Sequence, residues 1–466
     1  MNELNLPILI PVIIYILLLL VIGFKSYRRN ADSDEFLLSG RSLSVPAFVA
    51  TLVTTWYGGI LGVGEFVYSF GISAWIVFGL PYYIFAGLFA FFLAPKIRSA
   101  NNYSIPDMLY NTYNRPAGIL GSLFLVIMTT PAPYILMVAA LLQHLFHLSF
   151  IVSTVAGTLF SIIYVYWGGF RSVVQTDKLQ FILMFTGFLL LAFYAFTDGM
   201  PLEKLVSHLD APHKNVTGGL SVQSLIVWFL IASWTFIDPG FHQRCAAART
   251  PGTAKKGIFI SIGFWFIFDM LTMLTGLYAF VLLPGIDPLT AYPMLAQHLL
   301  PPVFQGIFFM GLLAIIMSTV DSYTFLSALT FGRDIIWKWN DDNSDERVTL
   351  YTRIGLIITA VISLILIFLM PSVIEIWYNL GSLFIPPLLL PLVTAYFPRW
   401  RISSNATMLV MSLSFAVALV FFVLGQVNTL DGQPDYPFGL EPFFPGLMVS
   451  LAGYGVQNMF NIKSGQ

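Results

Sequence analysis

Charge is what this chain has least of. Only 10% of its 466 residues are Asp, Glu, Lys or Arg, while 57% are hydrophobic, and the mean hydropathy is +0.81. So little charge does not solvate a soluble globule of this size. Cysteine is almost missing too: the single Cys245 excludes an intrachain disulfide and a thiolate metal cluster. No phosphate-cradling loop and no HExxH zinc motif occurs. The net charge of −1 gives no support for nucleic-acid binding. The longest inner hydrophilic segment, residues 339–349, carries no catalytic pattern. These absences argue against an enzyme and for an all-α protein whose first partner is the lipid bilayer.

What is present is a long series of apolar segments. The first covers residues 6–24, with Glu3 before it and Lys25, Arg28 and Arg29 after it. That order reads as a retained helix with its N-terminus outside, not as a cleaved signal peptide. Twelve more spans are expected at 44–72, 74–95, 117–144, 149–168, 179–198, 221–239, 257–284, 303–331, 351–370, 373–397, 404–425 and 443–460. About 20 helical residues cross the hydrocarbon of a bilayer. Of the 22 Lys and Arg residues, all but Lys204 and Lys214 then fall on one side. The basic side comprises residues 25–43, 96–116, 169–178, 240–256, 332–350 and 398–403, with Arg353 at the inner end of the 351–370 span and Lys463 in the tail. Residues 199–220, 284–302 and 426–442 form the opposite side. The basic side faces the cytoplasm. The expected location is therefore a plasma membrane, of the bacterial inner-membrane type, with the C-terminus inside. The sequence leaves the oligomeric state open, and a monomer is compatible with it.

The spans group into units. Residues 1–43 are an additional helix and inner loop, 44–198 a first block of five spans, and 199–220 an external loop. Residues 221–397 are a second block of five, and 398–466 two terminal helices and a tail. Five is odd, so the second block is inverted relative to the first, the arrangement of inverted-repeat secondary transporters. The first span of each block carries weak points. Thr54 to Gly59, then Gly62 and Gly64, weaken the helix of the first block. Asp238-Pro239-Gly240 does the same in the second. Discontinuities there, in core helices 1 and 6, would expose carbonyls to an ion or solute. Close helix packing through small residues is the other reading.

With these residues in view, the chain resembles the sodium:solute symporter family, which shares the inverted-repeat architecture of leucine-transporter-like proteins. The landmarks are YSIPDML at 103–109, GGFRSVVQTDKLQ at 168–180, HQR at 242–244, AIIMSTVDS at 314–322 and GRD at 332–334. Their order and placement carry the resemblance, which spans nearly the whole chain. It implies a sodium site made by the carbonyls of Leu52, Thr55 and Ile315 and the hydroxyls of Ser318 and Thr319. Oxygen-only coordination suits a hard alkali cation. Packing or back-bonding hydroxyls remain the plainer reading of Ser318 and Thr319. A second cation site in some members maps to Asp177, Ser318, Asp321 and Ser322. Here Asp321 replaces a hydroxyl residue, and a proton is an alternative occupant. Asp177 has the further alternative of an ordinary salt bridge, since Arg171 and Lys178 flank it.

The solute pocket is expected at the weak points. Trp56, Tyr57, Glu65, Trp234 and Tyr378 are its candidate residues, with Tyr68, Trp228, Asp238 and Trp377 beside them. The run TWYGG at 55–59 resembles the choline-transporting branch, whose form is TW-any-GG. Aromatic faces hold ammonium groups by cation–π attraction, and a carboxylate inside a span needs a partner. The resulting expectation is a symporter that couples inward sodium flow to uptake of a small polar organic solute, with Na+ as coupling ion and no organic cofactor. A cationic or zwitterionic solute fits best. Proton-coupled or uncoupled transport, and a sodium-conducting channel, are the alternatives.

Overall fold

The computed structural model describes residues 6–26, 33–340, 345–430 and 433–463. Glu3, Arg28, Arg29 and residues 341–344 lie outside them. The regular structure of the described residues is helical, apart from a two-residue antiparallel pairing of Thr429–Leu430 with Gln433–Pro434 and an isolated parallel bridge between Leu43 and Ala248. Among the described residues, eleven helices are long and apolar enough to cross a membrane. Phe443–Lys463 is a further helix of 21 residues.

The spans expected at 149–168 and 179–198 are joined in one helical run, Phe150–Tyr194. Gly169 breaks it with φ 57° and ψ −158°. A Cβ at that position would lie 2.7 Å from the Phe36 carbonyl oxygen, so glycine serves both the left-handed dihedral and the close approach.

Burial separates a core from a lipid-facing shell. The Leu6–Ser26 helix buries Val12, Tyr15 and Leu19 and exposes Ile10, Ile13, Ile14 and Leu17. Exposed aliphatic side chains cost nothing in hydrocarbon, and a helix satisfies its own backbone there. By contrast, the most apolar window of Val45–Phe70 is 83% buried and that of Pro302–Trp337 is 72% buried, against 28% for Leu6–Ser26. These two segments meet at the centre.

The backbone departs from α-helical geometry within both Val45–Phe70 and Val222–Ala247. The first helix runs Val45–Trp56, tightens to a 3-10 turn at Tyr57–Gly59 and resumes at Ile60–Phe70. The irregularity starts at Tyr57, later than the Thr54–Thr55 expected; the Thr54 carbonyl still accepts from the Tyr57 N–H. The second segment divides into Val222–Ile231, Trp234–Ile237 and Pro239–Ala247. Asp238 is extended there (φ −72°, ψ 115°), as a residue before proline favours. Its side chain caps the next helix by accepting from the Phe241 N–H at 2.9 Å.

The loops fall into two groups by contact. Leu43 and Ala247–Arg249 exchange backbone hydrogen bonds of 3.0 Å. Arg41 donates to the Asn101 carbonyl at 3.3 Å, Arg115 to that of Trp339 at 2.8 Å, and Lys96 to that of Tyr396 at 3.0 Å. At the other end, His213 donates to the Tyr68 carbonyl at 2.9 Å and Gln223 to that of Gly439 at 2.8 Å. The basic segments thus share one end of the molecule. Among the basic residues that the charge pattern places in loops, Arg244 and Arg333 are buried within helical segments. Charge counting alone does not distinguish a solvated arginine from one paired inside.

Candidate functional site

Among the described residues, two of the buried polar clusters adjoin the break-bearing segments at the centre of the molecule. The first lies where four helical segments meet. Val45–Trp56 supplies Thr51 and Thr55, and Phe150–Tyr194 supplies Asp177. Pro239–Ala247 supplies Arg244, and Pro302–Leu329 supplies Ser318, Thr319 and Ser322. The four-residue spacings 51/55 and 318/322 place each pair on one helix face.

Thr319 Oγ1 donates to the Thr55 carbonyl at 2.7 Å. Gly58 permits this approach, because a Cβ there would lie 1.9 Å from Thr319 Oγ1. Ser318 Oγ donates to Asp177 Oδ1 at 2.6 Å, and Thr51 donates to Asp177 Oδ2. Thr55 Oγ1 lies 3.4 Å from Ser318 Oγ and 3.1 Å from Ser322 Oγ. Leu52 and Ile315 are buried on the same two helices. Thr55, Ser318 and Thr319 therefore meet, and Asp177 meets Ser318 directly but Ser322 through Arg244. Asp321 is fully buried on the Pro302–Leu329 helix.

A cation already sits among these oxygens. Arg244 Nη2 donates to Ser322 at 2.7 Å, Thr55 at 2.8 Å and Thr51 at 3.2 Å, and lies 3.7 Å from Asp177 Oδ2. Both Arg244 and Asp177 have fully buried side chains. The flanking partners considered for Asp177 are engaged elsewhere, Arg171 with Glu35 and Lys178 with Gln175. Asp177 lies on the inward face of its helix, whereas its neighbour Lys178 is exposed.

The second cluster lines a cavity of about 100 Å³ beside the first. Trp56, Tyr57, Trp228, Trp234, Asp238 and Trp377, all flagged by the sequence, are on its wall. Trp234 Nε1 is buried and has no hydrogen-bond partner among the described residues. Glu65 and Tyr378 are not on the wall. The Tyr378 hydroxyl donates to Glu441, and its ring packs on Trp228 at 5.3 Å, behind the lining. Tyr82, Tyr134, Tyr323 and Asp269 complete the polar lining and were not singled out by the sequence. Asp269 carried a usable signal, since it is a carboxylate inside the expected 257–284 span. Tyr323 Oη donates to Asp238 Oδ2 at 2.6 Å. Thr55 belongs to both clusters: it lines the cavity and its carbonyl accepts from Thr319.

Residues 36–402 match the family described as the sodium:solute symporter family. The chain belongs to that family. It is a secondary-active, sodium-coupled symporter of a small organic solute and not an enzyme. It is 24% identical over 479 residues to the osmoregulated proline transporter OpuE of Bacillus subtilis (strain 168), covering 96% of this chain and 95% of OpuE. It is 25% identical over 475 residues to the high-affinity proline transporter PutP of the same organism, covering 95% and 98%. In fold it is similar to a substrate-bound, outward-open Na+-coupled sialic acid symporter, with a TM-score of 0.80 at 17% identity, over 97% of this chain and 96% of that one. Mhp1, a nucleobase-cation-symport-1 family transporter in a closed conformation, gives 0.62 at 13% identity, over 92% and 94%. These likenesses establish an all-α, multi-spanning membrane fold related to leucine-transporter-like symporters.

Proposed function

We propose that this symporter drives uptake of a small organic ammonium solute, cationic or zwitterionic, with sodium bound by the carbonyls of Leu52, Thr55 and Ile315 and the hydroxyls of Ser318 and Thr319. The observation that carries the reading is the double role of Thr55, whose residue lines the aromatic cavity and whose carbonyl meets Thr319. Sodium ordering that carbonyl orders the cavity wall; a solute on the wall orders the sodium ligands. The coupling is reciprocal, so each ligand tightens the other by the same free energy. The membrane potential contributes about 2.3 kcal/mol per charge for each 100 mV.

The ammonium class rests on the lining. Its aromatic faces attract cations, and it contains Asp238 and Asp269 but no basic side chain. Both resemblances agree with it. Proline, named for the two Bacillus relatives, carries an ammonium group. The TWYGG run matches the choline-branch form. The framework we propose has 13 spans, with five-span repeats at 44–198 and 221–397 and discontinuous first and sixth core helices. The first and last segments, 1–43 and 398–466, stand outside the repeats. The basic end faces the cytoplasm of a bacterial inner membrane.

The test is a sodium-dependent uptake screen in proteoliposomes with quaternary amines, amino acids, vitamins, sugars and monocarboxylates. Uptake of ammonium compounds that requires sodium and falls at least tenfold in Trp56→Ala is expected. Exclusive uptake of an anion sinks the reading.

A further inference from the structure

Among the described residues, the cavity wall holds one partly buried carboxylate on which no basic side chain acts. Asp177 has Arg244, and Asp334 has Arg333 at 2.7 Å. Asp238 is within the field of Arg244. Asp269 is different. Among the described residues no basic side chain pairs with it. It is held instead by two neutral donors, the hydroxyls of Tyr57 and Tyr83, one on each carboxylate oxygen. A carboxylate accepts about four hydrogen bonds. Two tyrosines fill half of that capacity, and the carboxylate still faces the cavity. An isolated buried carboxylate is costly unless a cation joins it.

We infer that Asp269 is the subsite for the positively charged nitrogen of the transported solute. The inference rests on the ammonium reading above and assigns its charge contact to one residue. Tyr57 and Tyr83 come from different helical segments and fix both carboxylate oxygens, so the acceptor is pre-positioned before solute arrives. Tyr57 also connects the subsite to the ion site. It opens the 3-10 turn at Tyr57–Gly59, two residues after Thr55, and its N–H donates to the Thr54 carbonyl. Its hydroxyl has the Trp265 carbonyl as a second acceptor at 3.0 Å. A solute nitrogen on Asp269 therefore acts on the turn that directly follows the helix end carrying the Thr55 carbonyl. Asp269→Asn preserves shape and removes the charge; its amide oxygen still accepts from one tyrosine, while towards the other the amide N–H donates to the hydroxyl oxygen.

The experiment measures binding and uptake of choline, glycine betaine and proline in proteoliposomes. The neutral compound 3,3-dimethylbutan-1-ol, the carbon isostere of choline, serves as competitor. The wild type is expected to prefer at least one ammonium probe over the isostere. Asp269→Asn is expected to weaken that probe at least about 30-fold, equivalent to ~2 kcal/mol, while leaving the isostere within about threefold. If Asp269→Asn keeps the wild-type preference, the inference is overturned while the ammonium reading stands. If the wild type moves only neutral or anionic solutes, the ammonium reading itself has failed. A variant that changes pH or sodium dependence while keeping ammonium selectivity makes Asp269 an ion-coupling group and also overturns the inference. Should Asp269→Asn not fold, Asp269→Glu keeps the charge and moves it outward. It is expected to reorder the preference among methylated ammonium probes, and an unchanged order counts against the subsite.

Discussion

Arg244→Gln tests whether a built-in cation serves the place where a second sodium was expected. Arg244 Nη2 makes three hydrogen bonds, to Thr51, Thr55 and Ser322, and faces Asp177 at 3.7 Å. The variant leaves Asp177 buried with only the hydroxyls of Thr51 and Ser318. Removing one partner of a buried pair costs about 3–5 kcal/mol, because the other charge is stranded. The stranded carboxylate and the hydroxyls of Ser318 and Ser322 then form an oxygen cluster without its cation. Sodium is the available replacement. At 100-fold excess over its Kd, a ligand restores ~2.7 kcal/mol, more than half of even the upper loss. The assay is thermal unfolding of purified protein in sodium and in potassium buffer. Arg244→Gln is expected to lower Tm strongly in potassium and to gain more from sodium than the wild type gains. The Asp177→Asn, Arg244→Gln double variant should be about 1–3 kcal/mol better than the sum of the single losses. Equal sodium shifts in wild type and Arg244→Gln, with additive losses, would refute the exchange of guanidinium for sodium.

Three further outcomes follow from the same geometry. Ser318→Ala, Thr319→Ala is expected to keep expression but raise the sodium concentration needed for half-maximal solute binding at least tenfold; an unchanged titration in folded protein removes these hydroxyls from the ligand set. Gly58→Ala puts a methyl 1.9 Å from Thr319 Oγ1 in the present geometry, so overpacking of about 1–3 kcal/mol and loss of sodium-coupled uptake are expected, and wild-type uptake would contradict the close approach. At the basic end, burial opposes ionisation of Asp107, but the charges of Arg333 and Lys338 outweigh it and hold the carboxyl below its ordinary value. A depressed carboxyl stabilises fully above its unfolded value of about 4 and loses that contribution as pH falls through the lower folded value. Asp107→Asn should therefore lower Tm at neutral pH and flatten its decline in acid; parallel Tm–pH curves would rule this out.

The membrane class and the two ends of the molecule were legible from the sequence because both depend on composition summed over long segments. Apolar runs define spans whatever they pack against. Loops of one charge class do end up touching, as the contacts of Leu43 with Ala247 and Arg115 with Trp339 illustrate. The weak points were legible for a local reason: Gly58-Gly59 and Asp238-Pro239 limit the helix wherever they occur. The aromatic wall was legible in part, since Trp56, Trp228, Trp234 and Trp377 lie at or near those points.

The sequence by itself decided that this chain is helical and apolar, and where its helices weaken. It did not decide which charged side chains face one another, because that is set by packing between helices distant along the chain. Arg244 reads as a loop cation until the fold buries it against Asp177, a residue 67 positions earlier in the sequence. Glu65 and Asp269 look alike as single carboxylates in apolar spans. Only the rotation of each helix about its axis turns Asp269 towards Tyr57 and the cavity and leaves Glu65 off its wall. A helix repeats every 3.6 residues, so its sequence specifies which residues share a face. Which partner covers that face is a property of the assembled bundle.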